Sequence, residues 1–207
     1  INKIPTGNKD PYALRRAAAG VIRIVLNLNI QFDIKNILSL IAKNYAPFDL
    51  GLLESFIYDR LYTMYSVNPS VIKACLNSSV SDIKRLNSAI IALDDITKNS
   101  EFKENFSTFK RLANIIKDSQ ILAVDEKLME HDSERVLHSA FSALSLDISD
   151  TKRYLEALFN LKPAIDNYFD NVMINSDDEK IKANRISIIG QIYQAFLKVA
   201  DIKEITV

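Results

Sequence analysis

The sequence predicts an all-α fold, and three observations carry that prediction. Apolar residues recur at helical spacing along nearly the whole chain. Strand signals are weak, with no sustained two-residue alternation and no Asn-Gly or Asp-Gly hairpin turn. Only four Gly and five Pro interrupt 207 residues, which suits long helices.

The elements follow in order. Asp10 and Pro11 fit the N-cap and first helical position of a helix running to about Asn29. Asp33 caps the next, to about Asn44. Ala46-Pro47-Phe48-Asp49 breaks the chain, and Leu50–Ser66 reads as a third helix carrying Tyr58, Tyr62 and Tyr65. Asn68-Pro69-Ser70 is the expected domain boundary, followed by a short helix. Ser81 opens a helix to about Lys98, and Ser100 opens one to about Asp118. The polar, acidic stretch 119–132 reads as a loop containing a helical turn. Helices are expected over Ser133–Ser145, over Asp150–Asn160, and from Pro163 to near Val172. Ser176-Asp177-Asp178-Glu179 has the form of a capping box for a last helix that runs to about Ala200. The expected architecture is a helical unit over 1–66 and a bundle of antiparallel helices over 67–207.

Composition narrows the function. The single Cys75 excludes an internal disulfide framework and fits a reducing compartment, the cytoplasm. No run of about 18 apolar residues marks a membrane span, and no signal peptide is visible. The chain opens on Ile1 and not Met, so it is expected to be part of something longer. Net charge is zero but unevenly spread. Residues 1–43 hold seven basic and two acidic side chains, residues 84–117 seven and four, and residues 125–150 two and seven. Such segregation can present basic faces to a polyanion, or simply solvated faces to water.

Three helices carry the polar constellations. On the first, Leu14, Ala18, Val21, Ile22 and Val25 form the apolar face, while Tyr12, Arg16, Ala19 and Arg23 line another stripe with Arg15 beside it. These arginines suit phosphate contacts or bridges to carboxylates of a neighbouring helix. In FSTFKRLANIIKDS, Phe102, Phe106, Phe109, Ala113 and Ile116 form a core stripe. About 100° round the helix lie Lys103, Ser107, Lys110, Asn114 and Lys117, with Arg111 next to the row. Lys meets phosphates, and Asn and Arg can read the edges of unstacked bases, so the row suits RNA. An ordinary solvated face has the same spacing. The last helix shows a polar stripe, Lys180, Asn184, Ser187, Gln191, Gln194 and Lys198, and places Arg185 within its apolar face. A core-facing Arg must be paired or act on something at an edge. Asp166, Asp170 and Asp94 are the candidate partners, and a base or phosphate contact is the alternative.

No catalytic chemistry assembles. His131 and His138 stand two turns apart, too far to share a metal on one helix, and His131-Asp132 has no companion ligand cluster. There is no phosphate-cradling Gly loop and no nucleophile elbow.

Three segments together resemble a known family. PTGNKDPYALRRAAAGVIRI is similar to the P-T-G-x-x-D-P-F/Y-A-L-R-R-A-A segment of the β subunit of bacterial tetrameric glycyl-tRNA synthetase. FKRLANII resembles that family's K-R-V-x-N-I-L segment, and NVMINSDDEKIKANRISIIGQIYQAFLKVADI resembles its C-terminal segment. Lys182 stands where Arg is common, and 119–150 matches nothing specific.

The resemblance implies a helical anticodon-binding domain of DALR type from about Val67, preceded by the end of an HD-like body domain over 1–66. It implies tRNA(Gly) as ligand and a partner α subunit in a tetramer of two α and two β. In the whole enzyme ATP and Mg²⁺ belong to the α subunit, and this part of the β subunit is expected to hold no cofactor, metal or catalytic site. Neither DNA nor a membrane is an expected partner. The candidate tRNA-binding residues are Lys103, Lys110, Arg111, Asn114, Lys117 and Arg185. Without the resemblance, the competing reading is a helical adaptor that docks a protein through its acidic 125–150 region.

Overall fold

Helix starts in this chain are set mainly by short acidic side chains that accept the orphan N–H groups of the first turn. The structure, a computed structural model, describes residues 10, 12–116 and 119–206. Asp33 accepts from the Asn36 N–H, Asp49 from Leu52, Asp82 from Arg85, and Asp150 from Arg153. The helices so defined are α1 (Leu14–Leu28), α2 (Ile34–Ala42), α3 (Leu50–Tyr58), α4 (Leu61–Met64), α5 (Pro69–Leu76) and α6 (Ile83–Thr97). They continue as α7 (Ser100–Ile116), α8 (Asp132–Ser142), α9 (Thr151–Phe159), α10 (Lys162–Asn171) and α11 (Glu179–Leu197). Single 3₁₀ turns lie at Glu126–Leu128 and Ile202–Glu204. Among the described residues there is no strand, and the one β-type pairing is an isolated antiparallel bridge between Asp33 and Asp82. The fold is all-α, as expected.

Several boundaries differ from the sequence reading, such as Asp82 and not Ser81 capping α6 and α8 ending at Ser142 and not Ser145, and three of them have a clear local reason. The first helix begins at Leu14, because Ala13 adopts a left-handed conformation (φ 54°). That bend folds Asp10 back, so its carboxylate still receives the N–H groups of Arg15 and Arg16, each at 3.4 Å. Pro11 lies outside the described residues. The helix expected over Leu50–Ser66 is broken into α3 and α4. Arg60 Nε donates to the Phe56 carbonyl at 3.2 Å, the acceptor a continuous helix would give to the Arg60 N–H. That N–H turns to the Ile57 carbonyl instead. At α11 the cap is Asp178, accepting from Lys180 and Ile181, and not Ser176.

The core is built round α6, which packs against α1, α5, α7 and α9. Leu86, Ile90 and Leu93 on α6 are fully buried. Packing crosses the division expected at residues 66 and 67. The Ile34 N–H donates to the Ser81 carbonyl (3.2 Å), the Ile83 N–H to Phe32 (3.0 Å), and the Ser81 hydroxyl to Asp33 (2.8 Å). The C-terminal turn closes on α5. Buried Asp201 takes the Tyr193 hydroxyl at 2.6 Å, its own N–H donates to Ala74, and Lys73 pairs with Glu204 at 2.7 Å. Among the described residues, no helix is long and apolar enough to cross a membrane.

Candidate nucleic-acid interface

The rotation of α7 is set by an aromatic cluster. Phe102 and Phe106 stack at 4.9 Å between ring centres. Phe159 of α9 meets Phe102 and Phe109 edge-on at 5.0 Å each, and Phe196 of α11 closes against Phe109 and Phe159. Such edge-to-face contacts favour particular ring orientations and so restrict how the helix can turn. With the rings inward, Lys103, Ser107, Arg111 and Asn114 face solvent, and Lys110 is half-buried at the margin. The structure therefore brings Lys103, Lys110, Arg111 and Asn114 onto one exposed side of α7. Lys117 lies outside the described residues.

Two of these cations are held by rings. Lys110 Nζ sits 5.9 Å from the Phe106 ring centre, and the Arg111 guanidinium lies over Phe169 of α10 at 4.3 Å. Beneath Arg111 a polar network ties α7 to α10. Buried Thr108 donates its hydroxyl to Asp166 at 2.5 Å, and Lys162 pairs with the same carboxylate. Burial pushes the Asp166 carboxyl up, but hydrogen bonds from Lys162 and Thr108, with the charges of Lys162 and Arg111, hold it below its ordinary value. Arg111 is thus held over the Phe169 ring, a position from which its guanidinium N–H groups can donate outward.

Arg185 is placed differently. Its side chain is 5% exposed, and all three guanidinium nitrogens are engaged. Nε donates to Glu134 at 3.1 Å, Nη1 to the Met173 carbonyl at 2.9 Å, and Nη2 to Glu130 at 2.7 Å. Glu134 is fully buried at the start of α8, where its second oxygen accepts the N–H groups of Glu130 and His131, each at 2.8 Å. Tyr168 donates its hydroxyl to the Arg185 carbonyl. Burial and then the Glu134 charge push that phenol well above its usual range, against Arg185. The partners are therefore Glu134 and Glu130, and not Asp166, Asp170 or Asp94. Asp166 is occupied by α7 and Lys162, and Asp94 by Lys98.

The polar stripe of α11 has the same inward role at Asn184 and Ser187, both buried. Asn184 exchanges two hydrogen bonds with the Asp125 backbone, at 2.8 and 3.0 Å, and Ser187 accepts the Leu122 N–H at 3.0 Å. One turn on, a Cβ at Gly190 would lie 2.2 Å from Ile121 Cδ1. Segment 119–131 thus lies as a strap along α11, running from Ile121 at Gly190 to Glu130 at Arg185. Sequence reasoning missed this strap, although small and polar residues at every third position (Asn184, Ser187, Gly190) signal a lane for a backbone.

On α1, Arg16 and Arg23 are exposed, and Arg16 Nε lies 3.7 Å from Asp10. His138 Nε2 is 3.9 Å from Glu126. Among the described residues, no group of three or more His, Cys, Asp or Glu side chains is arranged to hold a metal ion. The chemistry available at the α7 face is cation, amide and hydroxyl contact with an anionic, hydrogen-bonding partner.

Comparison with known proteins bears on what that partner is. A profile of the family described as glycyl-tRNA synthetase beta subunit matches residues 1–77. The glycine–tRNA ligase beta subunit of Helicobacter pylori strain G27 is 37% identical across 100% of this chain and 31% of its own length. That of Ruegeria sp. strain TM1040 is 32% identical across 99% of this chain and 32% of its length. That of Clostridioides difficile strain 630 is 28% identical across 97% of this chain and 31% of its length. The chain spans about a third of the length of these curated relatives.

Proposed function

Since the chain belongs to the glycyl-tRNA synthetase β-subunit family, we propose that it binds tRNA(Gly) and presents α7 to the anticodon. In this reading it is the helical, DALR-type anticodon-binding part of the subunit together with the end of the preceding body. The ligase as a whole joins glycine to tRNA(Gly) in the cytoplasm, with ATP and Mg²⁺ handled by a partner α subunit in a tetramer of two α and two β. Residues 1–66 and 67–207 are the two parts.

The observation that supports this reading best is the exposed row on α7. Lys103 and Lys110 meet phosphates, and Lys117 continues the row in the sequence. Arg111, held over Phe169, and Asn114 one turn from Lys110 orient or read an unstacked base. Arg185 supports the fold behind that face, with its guanidinium enclosed.

Fluorescence anisotropy of tRNA(Gly) transcript binding across a salt series tests the reading, beside a transcript with both anticodon cytosines replaced. Binding that falls with salt and is lost on the replacement supports it. Equal binding to both transcripts reduces the face to phosphate contact, and no binding at low salt overturns it.

A further inference from the structure

Among the described residues, exposed large apolar side chains are confined largely to the first third of the chain. Eleven lie between Tyr12 and Tyr62, against four isolated ones, Ile91, Leu122, Val136 and Met173, over the remaining described residues. Scattered single residues are ordinary, but a clustered set marks a surface that something covers.

The cluster is most ordered on α1. Leu14, Val21, Ile24 and Leu28 are 37%, 40%, 58% and 64% exposed, and with Ala17 they follow the alternating three-and-four spacing of a helix–helix seam. The buried residues of α1 are Ala18, Ile22 and Val25. At about 100° per residue, the exposed stripe is centred roughly 90° round from the buried one, so the apolar arc is about twice as wide as the part that is covered. Leu14 and Val21, expected in the core, belong to the uncovered half. Arg16 and Arg23 lie on the far side of the helix. Gly20, at the edge of the stripe, has no atom within 4 Å of where a Cβ would stand.

We infer that this stripe is the seat of a helix from the two-thirds of the β subunit that lies outside this chain. The spacing fits a single helix packed along α1. The stripe falls within the residues matched by the family profile, and relatives carry the same region inside a chain about three times as long. The inference rests on family membership and not on tRNA binding, so either can fail alone.

The test uses a β subunit of the family's full length that carries this segment, with Ile24→Cys or Leu28→Cys introduced singly and Gln194→Cys as an exposed control. The native Cys75 is fully buried, and burial pushes its thiol up to about 12, so it stays silent. Circular dichroism first confirms that each variant folds. The expected result is thiol labelling at residue 24 or 28 about tenfold or more slower than at 194, independent of protein concentration and of added α subunit. Equal rates overturn the inference. So does protection that is lost on dilution, which marks a second copy, and so does protection that arises only with the α subunit.

Discussion

Replacing Arg185 by Met removes the cation from a fully buried carboxylate. Glu134 keeps two backbone N–H donors, from Glu130 and His131, but loses its one charged partner among the described residues. Breaking one side of such a buried pair costs about 3–5 kcal/mol. Glu130 contributes little, because its side chain is 57% exposed and the pair is screened there. A loss of about 4 kcal/mol is a large share of the roughly 5–15 kcal/mol that holds a domain together. With a urea slope of about 2 kcal/mol per molar, the unfolding midpoint falls by about 2 M. The chain has no Trp, so far-UV circular dichroism is the assay. Glu134→Gln and the double variant complete a cycle whose coupling is expected to exceed about 1.5 kcal/mol. A midpoint shift below about 0.3 M would refute the reasoning. A second readout separates support from contact: where Arg185→Met is folded, the salt slope of its tRNA binding is expected to match the parent, even if the loosened strap weakens the affinity.

Further outcomes follow from the same geometry. Lys110→Ala lowers the slope of log affinity against log salt by about one unit or less, and an unchanged slope removes it from the face. Gly190→Ala drives a methyl into Ile121 and costs about 1–3 kcal/mol, with partial rescue by Ile121→Ala; faster exchange of the Leu122 and Asp125 amides reports the loosened strap. Cys75 reacts with a thiol reagent near neutral pH only as the chain unfolds, because its thiol is held protonated. Asp166 and Glu204 both titrate below their ordinary values. Burial of Asp166 is outweighed by Lys162 and Thr108, and Glu204 is lowered chiefly by its hydrogen bond from Lys73. Their stabilisation is complete above the unfolded carboxyl range, near pH 4, and is lost as pH falls through the lowered values. Asp166→Asn therefore flattens the loss of stability seen in urea melts as pH falls below about 4.

Helix periodicity made α7 legible. Its Phe stripe and its Lys row differ by one residue in register, and a strong apolar stripe fixes which side is out. The cap at Asp33 was legible for the same local reason, a short acid three residues before its target N–H, whereas Ser81 and Ser176 stand one and two residues before the acids that cap, Asp82 and Asp178. What stayed hidden depends on partners far along the chain. Glu134 reaches Arg185 across 51 residues, and Ser187 holds the Leu122 N–H across 65. Polar residues at helical spacing on α11 look exposed in a sequence, because nothing local distinguishes water from a buried backbone segment as their partner. The acidic stretch misled in the same way: it reads as a docking face, yet Glu134 points inward to a cation. Leu14 and Val21 fail in the opposite sense, apolar residues that stay exposed among the described residues.

The motifs that carry the family resemblance are chiefly residues that build the fold. Asp178 caps α11, Asn184 and Arg185 hold the strap, Asp201 closes the C-terminal turn on α5, and Asp10 caps the first turn of α1. Within FKRLANII, by contrast, Arg111 and Asn114 face solvent and Lys110 reaches the margin. Loss of tRNA binding in a variant of Asn184 or Asp201 therefore does not place that residue at the interface, because breaking the strap or the turn lets α11 move, and α11 carries Phe196 against the rings that orient α7. Only a variant that keeps the unfolding midpoint and changes the salt slope reports on contact. On that criterion Lys103, Lys110 and Asn114 can be separated from their neighbours, whereas Arg111, held over Phe169, is expected to move both quantities at once.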